Sequence, residues 1–382
     1  MRKLVPLLLF GTRPEAIKMA PIVHECQRRA EDVDTVVCLS GQHREMLDQV
    51  VAYFQIRPTY DLDLMRPNQT LADLTARGLT AIDGILAKTN PDCVVAQGDT
   101  TTVLAAALAA FYRRVPFVHV EAGLRTQSLD APWPEEMNRR VASVVTTLHC
   151  APTPLAARRL REEGIDPRMI HVTGNPVIDA LLWTVERERG NQERWEQDFS
   201  YLGKRRMVLI TGHRRESFGE ALRSICRAIA ALSDAFEDVE FVYPVHLNPK
   251  VDGAVREALA GRPRIHLIPP VTYPAFVWLM GRSTLILTDS GGIQEEAPSL
   301  RKPVLVMRDT TERPEAVSAG AAELVGTSEA KIVERVTALL SDPAEYGRRQ
   351  IDSNPYGDGR AAGRIVDLML EQPWRTRDRA VA

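Results

Sequence analysis

Short apolar runs alternate with longer amphipathic segments through the first half of the chain. The runs are rich in β-branched residues, and the apolar positions of the longer segments recur at helical spacing. The strand-like runs are Val5–Phe10, Val33–Leu39, Cys93–Ala96, Phe117–Val120 and Leu148–Ala151, and the helix-like segments include Ile17–Ala30, Leu71–Lys88 and Thr101–Arg113. This alternation predicts an α/β fold with a parallel, doubly wound sheet.

A second series of the same kind follows the turn at Gly174–Pro176 and a polar helical stretch. Its strand-like runs are Met207–Thr211, Val239–Val245, Ile265–Ile268, Thr284–Thr288 and Val304–Val306. We therefore expect an N-terminal Rossmann-like domain over 1–174 and a C-terminal one over 175–358, facing each other across a cleft. Residues 359–382 are expected to form a final helix and a tail that packs back on the N-terminal domain.

Size and charge narrow the function. A chain of 382 residues that is 45% hydrophobic exceeds one ordinary core, which agrees with two domains. Its formal net charge of -2 indicates neither a nucleic-acid partner nor a membrane surface. No apolar run reaches the roughly 20 residues of a membrane span. Five scattered cysteines without a CxxC pair indicate reduced thiols and a cytoplasmic protein.

Charged residues follow the first predicted strand, where ligands of parallel sheets usually bind. Gly11–Glu15 forms the loop, and Arg13 and Lys18 have the charge and reach to contact a diphosphate. The ordinary structural interpretation makes Arg13 an exposed loop cation and Pro14 the start of a helix. The residues alone do not decide between the two.

Three acidic residues follow later strands of the N-terminal domain. Asp99 comes after Cys93–Ala96, Glu121 after the next strand, and Glu135 at the start of a helix. The ordinary interpretation makes Asp99 a helix N-cap and Glu135 a first-turn acid. Neither of these structural roles explains Glu121, because an acid that directly follows a buried strand needs a partner or a function.

The C-terminal domain offers two candidate anion sites. His213 and two arginines follow Met207–Thr211, although Ser217 capping a solvated helix would explain that segment equally well. Ser290, Gly291 and Gly292 follow another strand and open a helix, which favours a phosphate site over a plain tight turn with acids near the helix start. Glu296, one turn farther, can accept hydrogen bonds from ribose hydroxyls.

Other common sites are missing from the sequence. Neither GxGxxG nor GxxxxGK[ST] occurs, which argues against a dinucleotide cofactor bound in the usual way and against a P-loop ATPase. No histidine pair has zinc-ligand spacing, so no metal is expected.

Several long motifs occur in one order along nearly the whole chain. They are GTRPEAIKMAP from Gly11, GQHREML from Gly41, QGDTT from Gln97, HVEAGLRT from His119, PWPEEMNR from Pro132, TGHRRES from Thr211, DSGGIQEEAPSL from Asp289 and RDTTERPEA from Arg308. Through these motifs the chain resembles the non-hydrolysing UDP-N-acetylglucosamine 2-epimerases. The resemblance implies a two-domain GT-B fold.

The resemblance also implies a reaction without a redox cofactor. A base removes the C2 proton as UDP leaves C1, and the 2-acetamidoglucal then takes back a proton and UDP with C2 inverted. The implied catalytic residues are Asp99, Glu121, Glu135 and His213. The implied UDP-binding residues are Arg13, Lys18, Ser290, Gly291, Gly292, Glu296 and Arg313, with Phe276 beside the uracil.

Relatives further suggest a homodimer and a second UDP-N-acetylglucosamine that acts as an activator. The segments matching that second site contain Gln42, His43 and His246. Three alternatives stay open: a hydrolysing epimerase that releases N-acetylmannosamine and UDP, a GT-B glycosyltransferase, and a nucleotide-sugar-binding regulator without activity.

Overall fold

The structure, a computed structural model, describes residues 2–41, 44–66, 68–126, 128–212, 219–245 and 248–376. The chain forms two compact units. One is built from the chain up to Ala180 together with the segment that begins at Tyr356, and the other from Leu181–Pro355. These changes of unit lie a few residues from the predicted boundaries at 174 and 358.

The first unit contains a sheet of seven parallel strands in the order β3-β2-β1-β4-β5-β6-β7. The strands are β1 Pro6–Phe10, β2 Val36–Leu39, β3 Tyr60–Asp61, β4 Cys93–Gln97, β5 Phe117–Val120, β6 Leu148–Ala151 and β7 Ile170–Val172. Strands β1 and β4 are neighbours, and the strand order reverses there. In doubly wound sheets ligands bind at the carboxyl ends of the strands at such a reversal.

Helices cover this sheet because their apolar residues face its buried strands. They are α1 Arg13–Arg28, α2 Arg44–Tyr53, α3 Leu71–Thr89, α4 Thr101–Tyr112, α5 Glu135–Val145 and α6 Pro154–Glu162. α7, Pro176–Glu188, carries the chain into the second unit. After residue 356 the chain returns, and its helix α16, Ala361–Glu371, packs against α1.

The second unit repeats the architecture with six parallel strands in the order β10-β9-β8-β11-β12-β13. The strands are β8 Arg206–Thr211, β9 Val239–Pro244, β10 Ile265–Ile268, β11 Leu285–Thr288, β12 Val304–Val306 and β13 Ala322–Leu324. The helices are α8 Gln192–Asp198, α9 Glu220–Ala235, α10 Pro249–Leu259, α11 Tyr273–Arg282, α12 Gly291–Glu296, α13 Pro314–Ser318, α14 Glu329–Ser341 and α15 Pro343–Arg348.

The predicted α/β class with two doubly wound parallel sheets is confirmed. Three short strands at sheet edges, β3, β7 and β13, were absent from the prediction. α1 begins at Arg13 and not at Ile17, because Thr12 and Glu15 form a capping box before the apolar periodicity starts. Within the described ranges, no helix is long and apolar enough to cross a membrane.

Candidate functional site

Glu121 lies directly after β5 with its carboxylate buried against Lys18 of α1. Lys18 Nζ donates to Glu121 Oε2, and Asn175 Nδ2 donates to the same oxygen at 2.9 Å. The side chains of Lys18 and Glu121 are only 9% and 4% exposed. The acid therefore has the partner that burial demands. Its φ of 63° lies in the left-handed region, which a residue with a side chain seldom adopts.

Asp99, in the loop after β4, pairs with a cation of α5. Arg139 Nη2 donates to Asp99 Oδ2, and Asn138 Nδ2 donates to the Asp99 carbonyl at 2.9 Å. The alternative interpretation of Asp99 as a helix cap is wrong, because Thr100 caps α4 by accepting from the Val103 N–H at 3.3 Å. The Asp99 carboxylate is thereby held by α5, with 24% of the side chain exposed.

Two consecutive acids open α5, and they differ in environment. Glu135 is half-buried, at the first position of the helix, where a structural first-turn acid would also stand. Glu136 is fully buried and accepts from Arg139 at 3.1 Å, from Arg140 at 2.7 Å and from the Thr126 N–H at 3.0 Å. Glu136 thus anchors the segment after β5, a role that the sequence interpretation missed.

The loop after β1 places Arg13 at the first turn of α1, where it is half-buried. Glu15, two residues later, accepts the Gly11 and Thr12 N–H groups on Oε2 at 2.9 and 2.7 Å. Its Oε1 accepts the Thr100 hydroxyl at 2.5 Å. Burial raises the pKa of Glu15, although these hydrogen bonds oppose the rise. The T-x-x-E pattern of a capping box was the signal available in the sequence.

Two buried histidines stand side by side in this sheet, since His119 of β5 pairs in register with His149 of β6. The Nε2 of His119 hydrogen-bonds the Gly98 carbonyl at 2.7 Å, next to Asp99. Burial lowers the pKa of His119 to about 4 and that of His149 to about 3. Both rings are therefore neutral at pH 7.

In the second unit, the turn from β11 into α12 presents the predicted glycines. Ser290 is the N-cap of α12 without a side-chain capping bond, and its own N–H donates to Thr288 Oγ1 at 2.9 Å. Arg313 Nε donates to Glu295 Oε1 at 2.9 Å. The first amides of a helix have no acceptor inside the helix and carry the positive end of its dipole. With Arg313 beside them, the arrangement suits an anion.

Glu296 ends α12 as a buried carboxylate, and the Tyr273 hydroxyl donates to its Oε1 at 2.6 Å. A Cβ on Gly292 would stand 3.8 Å from Oε2 of this acid, so the second oxygen lies near the glycine turn. Phe276 is on α11, three residues after Tyr273, with its ring half-buried. The Tyr273 hydroxyl, the Glu296 carboxylate and the glycine turn are thus close together, and Phe276 lies about one turn of α11 beyond Tyr273.

Four predicted site residues lie outside the described residues: Gln42, His43, His213 and His246. Within the described ranges, no group of three His, Cys, Asp or Glu side chains is arranged to hold a metal ion.

Comparison with known proteins identifies the family and the fold. The family model described as UDP-N-acetylglucosamine 2-epimerase matches residues 24–370. The chain belongs to the UDP-N-acetylglucosamine 2-epimerase family. It is 52% identical over 364 residues to a probable UDP-N-acetylglucosamine 2-epimerase of Ralstonia solanacearum, covering 94% of this chain and 97% of that protein.

Two further members of the epimerase family are similar over nearly their whole length. The UDP-N-acetylglucosamine 2-epimerase of Escherichia coli K12 is 50% identical over 369 residues, covering 95% of this chain and 97% of that protein. The crystal structure of the Neisseria meningitidis epimerase, which is bound to UDP-GlcNAc, superposes with a TM-score of 0.93 at 46% identity. It covers 97% of this chain and 100% of that chain. The predicted family, GT-B-like fold and enzyme class are confirmed.

Proposed function

We propose that this protein interconverts UDP-N-acetylglucosamine and UDP-N-acetylmannosamine through a 2-acetamidoglucal. A base takes the C2 proton, the C2–H electron pair forms the C1–C2 double bond, and the C1–O electron pair leaves with UDP. UDP then adds back at C1 while an acid protonates C2 from the other face. The observation that carries the proposal, beside family membership, is that Asp99 and Glu121 are held by cations at the carboxyl ends of β4 and β5.

Asp99, Glu121 and Glu135 are the proposed acid and base groups. Removing and returning a proton on opposite faces of C2 requires two positioned proton carriers. Asp99 and Glu121 follow adjacent strands of one parallel sheet, so their loops lie at the same edge. His213 is the proposed fourth catalytic residue, next to the phosphates, and lies outside the described residues.

The second unit is proposed to bind UDP. Ser290, Gly291, Gly292 and Arg313 offer N–H donors and a cation to the diphosphate, Glu296 offers an acceptor to the ribose, and Phe276 packs beside the uracil. Arg13 and Lys18 are the proposed contributions of the first unit. Stabilising the charge on departing UDP by such donors lowers the barrier to elimination, and the route requires no redox cofactor.

The five cysteines are unpaired and buried, which favours a reducing, cytoplasmic location.

A homodimer is proposed from an exposed apolar stripe at α5. Met137 and Val144, 39% and 78% exposed, are seven residues apart on one face of α5, and Trp133, 65% exposed, lies in the turn before the helix. Light scattering after chromatography should give a dimer for the parent and a monomer for Val144→Arg. Equal masses for the two proteins would count against this face as the interface.

A second UDP-N-acetylglucosamine is proposed as an activator that binds near Gln42, His43 and His246. Initial rates of the reverse reaction, from UDP-N-acetylmannosamine, should rise when a small amount of UDP-N-acetylglucosamine is added. Rates that ignore this addition would argue against an activator.

Proton NMR of the protein with UDP-N-acetylglucosamine in heavy water tests the central proposal. We expect deuterium at C2 together with a mannosamine-configured UDP sugar. Release of free amino sugar with stoichiometric UDP would show the hydrolysing reaction instead. Turnover that depends on an added acceptor would show a glycosyltransferase.

A further inference from the structure

The carboxylate of Glu15 connects two loops at the carboxyl ends of β1 and β4. Its Oε2 accepts the N–H groups of Gly11 and Thr12, and its Oε1 accepts the Thr100 hydroxyl. In a capping box the N3 side chain needs to accept only the N-cap N–H. The bond to Thr100 crosses to another strand's loop and serves no purpose in capping α1.

The two connected loops carry different parts of the proposed chemistry. The β1 loop leads into Arg13 and Lys18, and the β4 loop holds Asp99 next to Thr100. Since β1 and β4 are the neighbours at which the strand order reverses, their loops meet at the proposed site. Glu15 is 2% exposed, so its hydrogen bonds are shielded from competing water.

Other polar side chains also connect the loops at this edge of the sheet. The Ser40 hydroxyl, after β2, is 2.9 Å from that of Thr102 in α4. A Cβ on Gly11 would lie 1.7 Å from Ser40 Oγ, so only glycine lets the β1 loop pass so close. Three strand ends are thus joined by short polar side chains.

We propose that Glu15 is a positioning residue for the epimerisation, one that fixes the β1 and β4 loops relative to each other and so sets where Asp99 stands. This inference rests on the proposed function. Glu15 acts through Thr100 and the loop amides, and not on the substrate. Displacement of a reacting group by about 1 Å can cost about a hundredfold in rate.

Two substitutions of Glu15 separate positioning from bulk stability. Glu15→Ala removes all three hydrogen bonds, and we expect kcat and C2 deuterium incorporation to fall about a hundredfold. The dissociation constant for UDP should rise by a smaller factor than kcat falls, because most of the proposed UDP contacts belong to the second unit. Glu15→Gln should recover most of kcat, because its amide oxygen accepts the loop N–H groups and its NH₂ donates to Thr100 Oγ1.

A cap in the second unit supplies the matched control. Asp342 accepts the Ala344 and Glu345 N–H groups at 2.8 and 3.2 Å at the start of α15. Asp342→Ala should lower the melting temperature and leave kcat per folded molecule unchanged. A Glu15→Ala protein that behaves like Asp342→Ala would overturn the proposal.

Hydrogen exchange tests the link without turnover and remains informative if Glu15→Ala does not fold. Thr100→Val deletes the bond to Oε1, whereas Thr100→Ser keeps it. We expect Thr100→Val, but not Thr100→Ser, to speed exchange of the Gly11 and Thr12 amides on the other loop. Unchanged exchange in Thr100→Val would refute the link. Absence of epimerisation by the parent protein would instead refute the proposed reaction.

Discussion

The guanidinium of Arg313 lies directly against the Cα of Gly291. A Cβ built on Gly291 would stand 2.7 Å from Cζ and 2.8 Å from Nη1 of Arg313. Arg313 is held there by Glu295 and by Glu312, whose Oε2 is 3.6 Å from Nη1. Because Gly291 has no side chain, it leaves room for this cation at the start of α12.

Gly291→Ala should weaken UDP binding. The added methyl group would push the guanidinium off the helix start and cost one charge-assisted hydrogen bond to the diphosphate, about tenfold or more in dissociation constant. Titration calorimetry with UDP measures this. Gly292→Ala is the control, because it adds the same methyl group at a position where the nearest atom is 3.8 Å away and nothing has to move. We expect only Gly291→Ala to displace Arg313 in a crystal structure, and an unmoved Arg313 would contradict the explanation.

Lys18→Met should lower both the stability of the protein and the rate of epimerisation. The substitution leaves the Glu121 carboxylate buried without its cation, which costs about 3 kcal/mol in the free energy of unfolding. Urea unfolding measures the loss. Lys18→Met combined with Glu121→Gln should recover part of it, since no buried charge remains. A double variant as unstable as the sum of the single changes would show that the two groups are not coupled.

Asp99→Asn should lower kcat by about a hundredfold or more, because the amide cannot accept or deliver the C2 proton. Deuterium incorporation at C2 in heavy water measures the loss at the proton-transfer step. Asp83→Asn is the control for a lost aspartate–arginine pair, since Asp83 pairs with Arg113 at a more exposed position of the same unit. Asp83→Asn should keep the parent kcat. Equal losses in both variants would assign the effect to folding.

Acid should destabilise the protein partly through His149. Its pKa in the folded protein, about 3, lies below the ordinary value of 6.5, so the unfolded chain takes up a proton first as the pH falls. The contribution of His149 to the free energy of unfolding is therefore lost as the pH falls from about 6.5 to about 3, by up to about 1.4 kcal/mol per pH unit. Urea unfolding across that range measures the slope.

His149→Leu should flatten this acid dependence. Neither ring nitrogen of His149 has a hydrogen-bond partner among the described residues. Leucine should therefore preserve stability at pH 7, because it leaves no unsatisfied polar atom in the core. An acid slope identical to that of the parent would show that His149 does not contribute.

Buried strands were predicted well, and short strands at the sheet margins were not. Cys93–Ala96 is a continuous apolar run, and Phe117–Val120 is interrupted only by His119, because both faces of a parallel sheet are covered. β3 and β13 lie at the sheet edges with one partner strand each, and β3 is only two residues long. Such strands form because the backbone of the neighbouring strand offers free hydrogen-bonding groups. Their own side-chain pattern is too short to predict a strand.

The sequence by itself determined the alternation of strands and helices, the place of the acids after particular strands, and the family through its ordered motifs. These depend on local periodicity and on residue order. Only the tertiary structure decided that Asp99 pairs with Arg139, that Lys18 meets Glu121, and that Glu15 reaches Thr100. The partners in these contacts are 40, 103 and 85 residues apart. From local sequence alone, a carboxylate is predicted to interact with the nearest helix start. In the folded protein it instead binds the cation or hydrogen-bond donor that is buried beside it.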